Sequence, residues 1–97
     1  MIEILAFNLV EGSDEEAFVL ADKRVQAEFA YQQPGLLRRT TARSAGGGSW
    51  MVIDLWRSAE DADAADSRWA DDPVAAEFMS FVDRSTMRSA RYFEREE

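Results

Sequence analysis

Ninety-seven residues, 46% of them apolar, suffice for one domain with a core, although a chain of this length buries only roughly 60–70% of the surface it exposes when unfolded. A formal charge of −8 disfavours nucleic acid and anionic membrane surfaces, both of which select a basic footprint. The absence of cysteine and histidine excludes disulfides, thiolate nucleophiles, imidazole bases and the commonest ligands of zinc and haem iron.

The opening MIEILAFNLV lacks a basic n-region and a cleavage site, and no apolar run approaches the roughly 18–20 residues of a membrane span. The expectation is a soluble, cytoplasmic protein. Ile2 to Val10 reads as a strand with Ile2, Ile4, Ala6 and Asn8 on one face and Leu5, Phe7 and Leu9 on the other. Asn8 is the polar exception, and either a local hydrogen bond or a ligand accounts for it. Gly12 then punctuates, and Ser13-Asp14-Glu15-Glu16 predicts a capping box with Ser13 at the N-cap and Glu16 reaching back. Phe18, Ala21, Val25 and Phe29 recur at helical spacing until Pro34-Gly35 closes the segment.

Leu36 to Arg43 is β-compatible, and Ala45-Gly46-Gly47-Gly48-Ser49 joins it to the next strand as a hairpin. The glycine run lacks the lysine of a phosphate-binding loop and precedes a strand, so the hairpin reading stands. Trp50 to Trp56 (WMVIDLW) is too apolar to alternate between a wet and a dry face. Helices can cover only one face of a small antiparallel sheet, so the other is expected to meet its counterpart in a homodimer. Asp54 shares parity with Trp50, Val52 and Trp56, where a buried acid needs a partner such as an arginine, for structural pairing or for catalysis.

Ser58 caps a second helix in which Ala62, Ala65 and Trp69 mark the apolar stripe, with Trp69 available for core packing or ligand stacking. Glu60, Asp61, Asp63 and Asp66 form a solvated face without the glycine of a calcium loop. Asp72-Pro73 restarts the helix, and Val74, Phe78, Phe81 and Val82 give it a stripe. Thr86 to Glu94 can pair as a last strand before a charged, frayed tail. The order predicts an α+β fold over residues 1–97: a ferredoxin-like βαββαβ domain, its four-stranded antiparallel sheet covered by helices on one face.

Pro34-Gly35-Leu36-Leu37-Arg38-Arg39, the Trp50 strand ending in Trp56-Arg57-Ser58, Glu60-Asp61-Ala62, and Asp72-Pro73 before Phe78 together resemble the antibiotic biosynthesis monooxygenase type of dimeric α+β barrel protein. The resemblance covers nearly the whole chain and implies two subunits packed sheet against sheet. It implies a site between sheet and helices that uses an asparagine on the first strand and a tryptophan on the second helix, placements matched by Asn8 and Trp69. The implied activity is oxygenation of a small hydrophobic or aromatic compound, such as an acidic phenol or anthrone, with no cofactor and no metal.

In that chemistry Trp69 stacks on a substrate also contacted by Phe18 and Phe78, and Asn8 bonds one of its oxygens. Arg57 or Arg91 offsets developing charge, and Tyr92 or Asp54 accepts the proton. The haem-degrading branch places a histidine near Phe78 or Met79, so haem ligation through histidine is not expected here. The superfamily also contains proteins without known chemistry, so a non-catalytic dimeric module that binds a ligand or another protein is the alternative.

Overall fold

Strand pairing and helix capping in the computed structural model follow the sequence pattern closely; it describes residues 1–95, so Glu96 and Glu97 of the charged tail lie outside the described residues. The elements are β1 (Ile2–Leu9), α1 (Glu15–Glu28), β2 (Leu36–Arg43), β3 (Ser49–Trp56), α2 (Ala59–Trp69), α3 (Pro73–Ser80) and β4 (Val82–Tyr92), with a 3₁₀ turn at Ala30–Gln32. All strand pairs are antiparallel and the sheet order is β2-β3-β1-β4. This is the ferredoxin-like βαββαβ arrangement.

Period-two alternation decides what each strand presents. The pairs Phe7↔Trp50, Leu5↔Val52 and Glu3↔Asp54 share one face, and Ile4↔Ile53, Ala6↔Met51 and Asn8↔Ser49 share the other. The helices cover the first face, where Phe7, Phe18, Val25, Trp50, Val52, Phe78 and Val82 form the main core. Its rings meet edge to face, as in Phe18 against Trp50 at 4.9 Å and 67°. A smaller cluster of Met1, Trp56, Ala62 and Ala65 lies under α2, where alanines let the helix approach the sheet.

Boundaries differ from expectation at α1 and β4, and by one residue at the end of β1 and the start of β3. Asp14, not Ser13, caps α1: its carboxylate accepts from Glu16 N at 2.9 Å, while the Ser13 hydroxyl donates to the Val10 carbonyl at 2.6 Å. Strand β4 begins at Val82 instead of Thr86 and ends at Tyr92. An irregularity between Ala6 and Asn8 absorbs the extra residues of β4, and Asn8 N donates to the Thr86 hydroxyl there. Ser58 and Asp72 cap α2 and α3 as read, with Asp72 accepting from both Val74 N and Ala75 N. Gly35, at φ +87, is required between the 3₁₀ turn and β2, because a side chain there would collide with Asp61.

The outer face of the sheet, with Ile2, Ile4, Ile53 and Leu55 partly exposed and Met51 exposed, is covered by no helix among the described residues. Among the described residues, no helix is long and apolar enough to cross a membrane.

Candidate active site

Between the sheet and the segment from α1 to α2 lies a cavity of about 210 Å³. Its walls are aromatic where the helices meet: Phe29 at the end of α1 packs edge to face on Trp69 at 5.2 Å, and Trp69 packs on Phe78 at 5.8 Å. Its floor is β3, which contributes Val52, Asp54 and Trp56 from alternate positions. Trp69 therefore stands beside open space as well as against the core.

Polar groups interrupt this apolar lining at a few points. Arg39 of β2 is 7% exposed, and its guanidinium donates to Asp22 Oδ1 at 2.8 Å. Thr41 donates to the same oxygen at 2.9 Å, so Asp22 is doubly held. Arg39 Cζ also lies 5.9 Å from the Phe78 ring centre, within cation–π range. Asp54, opposite Arg39 in the β2–β3 register, approaches Arg39 Nε only to 4.0 Å, too far for a hydrogen bond. Asp54 Oδ1 and Trp56 Nε1 are buried with no hydrogen-bond partner among the described residues.

That environment sets the acidity of Asp54. Burial pushes its carboxyl up from 3.8 to about 6; nearby Arg39 opposes the rise, and the charges of Glu3, Asp66 and Asp22 add to it. Asp66 of α2 is also raised, chiefly by desolvation and then by Glu3. Arg91 of β4 ties the cavity edge together, donating to Glu3 at 2.9 Å, Asp63 at 2.7 Å and Asp66 at 3.1 Å. Its hydrogen bonds to Asp63 and Glu3 keep its guanidinium pKa above the ordinary value.

The residues singled out in the sequence distribute unevenly around this space. Trp69, Phe78 and Asp54 line it together. Asn8 does not: it is exposed on the outer face of the sheet, because its parity is that of Ile4 and Ala6. The expected pairing of Asn8 with Trp69 in one site is therefore absent within this chain. Tyr92 pairs with Ile2 on that same outer face and is 56% exposed. Phe18 is fully buried in the core, away from the cavity lining. Arg57 lies beyond the end of β3 and forms a surface pair with Asp61 at 2.9 Å. Arg91 touches two wall residues, Glu3 and Asp66, without lining the cavity itself.

Arg39, Trp56, Glu3, Asp66 and Phe29 are among the wall residues that the sequence reading did not assign to the site. Glu3 carried a usable signal, since it stands on the Leu5–Phe7 face of β1 where an acid is out of pattern. Among the described residues, no three His, Cys, Asp or Glu side chains are grouped to hold a metal ion.

No family model matches the sequence, and neither does any curated protein. Solved structures do match in fold. SnoaB, a cofactor-independent oxygenase from Streptomyces nogalater, superimposes with a TM-score of 0.80 at 20% identity, covering 99% of this chain and 93% of that one. A candidate antibiotic biosynthesis monooxygenase from Nitrosomonas europaea gives 0.71 at 17% identity over 94% of this chain and 86% of the other. An uncharacterized NIPSNAP domain protein from Burkholderia xenovorans gives 0.62 at 16% identity, over 92% and 88%. The chain thus has the fold of the antibiotic biosynthesis monooxygenase type, as the sequence resemblance implies, and that fold is shared by proteins of different description.

Proposed function

We propose that this chain forms a cytoplasmic homodimer, outer sheet face against outer sheet face, and oxygenates a compact aromatic compound held in the helix–sheet cavity. No metal or flavin takes part in this reading. The observation that carries it is Asp54: a carboxylate in an aromatic-walled cavity, with one oxygen unpartnered and a pKa of about 6, suited to work as a base near neutral pH. The likeness to SnoaB, described as a cofactor-independent oxygenase, supports the reaction class.

In this mechanism Trp69 and Phe29 hold the ring, and Asp54 removes a proton from an activated CH₂ group. The carbanion passes one electron to dioxygen, and the radical pair combines to a peroxide that takes the proton back from Asp54. A second C–H proton then leaves to Asp54 as the O–O bond breaks. The CH₂ has become C=O, one oxygen atom stays in the product, and the other departs as water with the two protons. Trp56 Nε1 supplies a hydrogen bond to charge developing on the substrate oxygen. The cavity is smaller than the roughly 300–1,000 Å³ usual for drug-sized ligands, which favours a one- or two-ring substrate.

The test is oxygen uptake with a panel of one- and two-ring aromatic compounds that carry an activated CH₂ group, autoxidation subtracted, comparing the wild type with Asp54→Asn. Saturable uptake that falls at least about 100-fold in the variant is the expected result, the usual size of a general-base contribution. Saturable binding without uptake above background would replace this reading with that of a non-catalytic binding module. Sedimentation of Ile53→Glu tests the dimer, which is expected to dissociate when a charge enters the centre of the outer face.

A further inference from the structure

We propose that the ligand of this cavity is an aromatic amine, bound as a cation with its charged nitrogen at Asp54 and a ligand oxygen at the Trp56 indole N–H. This deepens the reading above by naming the substrate class, and it rests on the cavity being the binding site.

The charge balance of the walls points this way. Glu3 on β1, Asp54 on β3 and Asp66 on α2 bring three carboxylates to the lining against one lining guanidinium, Arg39; Arg91 at the edge pairs with Glu3 and Asp66, which leaves Asp54 as the carboxylate without a hydrogen-bonded cation. The terminal nitrogens of Arg39 are already committed: one donates to Asp22 at 2.8 Å and the other to Thr41 at 3.3 Å and Gln26 at 3.5 Å. The remaining guanidinium nitrogen, Nε, makes no hydrogen bond among the described residues but faces Asp54 Oδ1 at 4.0 Å, so an anionic ligand would compete with that carboxylate amid excess negative charge. Asp54 Oδ1, in contrast, is a buried acceptor left without a donor, which an ammonium group satisfies.

The second observation is independent of the carboxylates. Trp56 is 4% exposed and lines the cavity, yet its Nε1 has no acceptor among the described residues. A buried indole N–H normally finds one, so the ligand that fills this space carries an oxygen as well as a cationic nitrogen. Phe29 and Trp69 line the same cavity, and the faces of aromatic rings attract both a flat ring and a cation.

The amine also eases the proposed chemistry. Proton transfer from a neutral substrate to Asp54 would move its negative charge onto the carbanion, beside the carboxylates of Glu3 and Asp66. Removing the proton from an ammonium-bearing substrate leaves a neutral, internally balanced species.

Three probes with one ring and different charge test the inference: 4-(2-aminoethyl)phenol, 4-ethylphenol and 3-(4-hydroxyphenyl)propionate, titrated by calorimetry into the wild type, Asp54→Asn and Asp66→Asn. The amine is expected to bind wild type at least roughly tenfold more tightly than the neutral phenol, with no saturable binding of the propionate. Asp54→Asn should remove most of that preference while changing 4-ethylphenol affinity less than about twofold, and Asp66→Asn should weaken the amine less because its carboxylate is already held by Arg91. Neutral or anionic probes binding as tightly as the amine would overturn the charge inference and leave the cavity reading intact. Wild-type protein that binds none of the three would overturn both. A preference for the amine unchanged in both variants would overturn the assignment to these carboxylates.

Discussion

At one end of the helix-covered sheet face Phe7, Phe18 and Trp50 fill the space under α1 and α3, whereas between α1 and α2 the same face opens into a cavity walled by Asp54, Trp56 and Trp69. The contrast continues in the two carboxylates flanking Arg39. Asp22 is 9% exposed and held at Oδ1 by both Arg39 and Thr41; Asp54 stands 4.0 Å from Arg39 Nε and keeps an unpartnered oxygen. One end of the face converts burial into stability. The other forgoes packing and hydrogen bonds, which native interiors rarely do outside sites that receive something.

The largest effect should come from the packed end. Phe18→Ala is expected to lose about 3–5 kcal/mol in urea denaturation, since its ring is fully buried among four aromatic neighbours. Trp69→Ala, beside open space, should lose clearly less; equal losses would erase the distinction between the two ends. Arg39→Met comes next, at about 3 kcal/mol, because it strands the buried Asp22 carboxylate while keeping the volume filled.

Asp54→Asn should act in the opposite direction. The folded carboxyl titrates near 6 and the unfolded one near 3.8, so the folded chain holds this proton more tightly. Its contribution to stability is full below pH about 4 and is lost as pH rises through about 6. Replacing it should stabilise the protein at pH 7 by about 1–2 kcal/mol and flatten the stability profile over that window, read by denaturation at a series of pH values. A destabilised variant would mean that Asp54 is a structural partner of Arg39 after all. The smallest effect is Asp72→Ala, which removes the cap from Val74 N and Ala75 N at a cost of about 1 kcal/mol, measurable as a lowered Tm.

Much of the architecture is legible in the chain because it is local. Hydrophobic period marks the strands and helices, Ser58 and Asp72 announce their helix starts, and Pro34-Gly35 ends the first helical segment. The cap of α1 is less legible, since Ser13 and Asp14 are chemically equivalent there and only the path of the backbone selects one. The start of β4 is obscured because Val82 fits a helical stripe as well as a strand.

The site divides along the same line. Sequence parity alone places Asp54 with Trp50, Val52 and Trp56, and Asn8 with Ile2, Ile4 and Ala6. It cannot say which face receives the helices, because both are apolar. That choice belongs to tertiary packing, and it puts Asp54 in the cavity and Asn8 outside it. Arg39's preference for Asp22 over Asp54 and the unpartnered Trp56 Nε1 likewise exist only once helix α1 lies on strands β2 and β3. Periodicity is a property of neighbours along the chain, whereas desolvation and hydrogen-bond satisfaction are properties of neighbours in space, and a candidate site is built from the second.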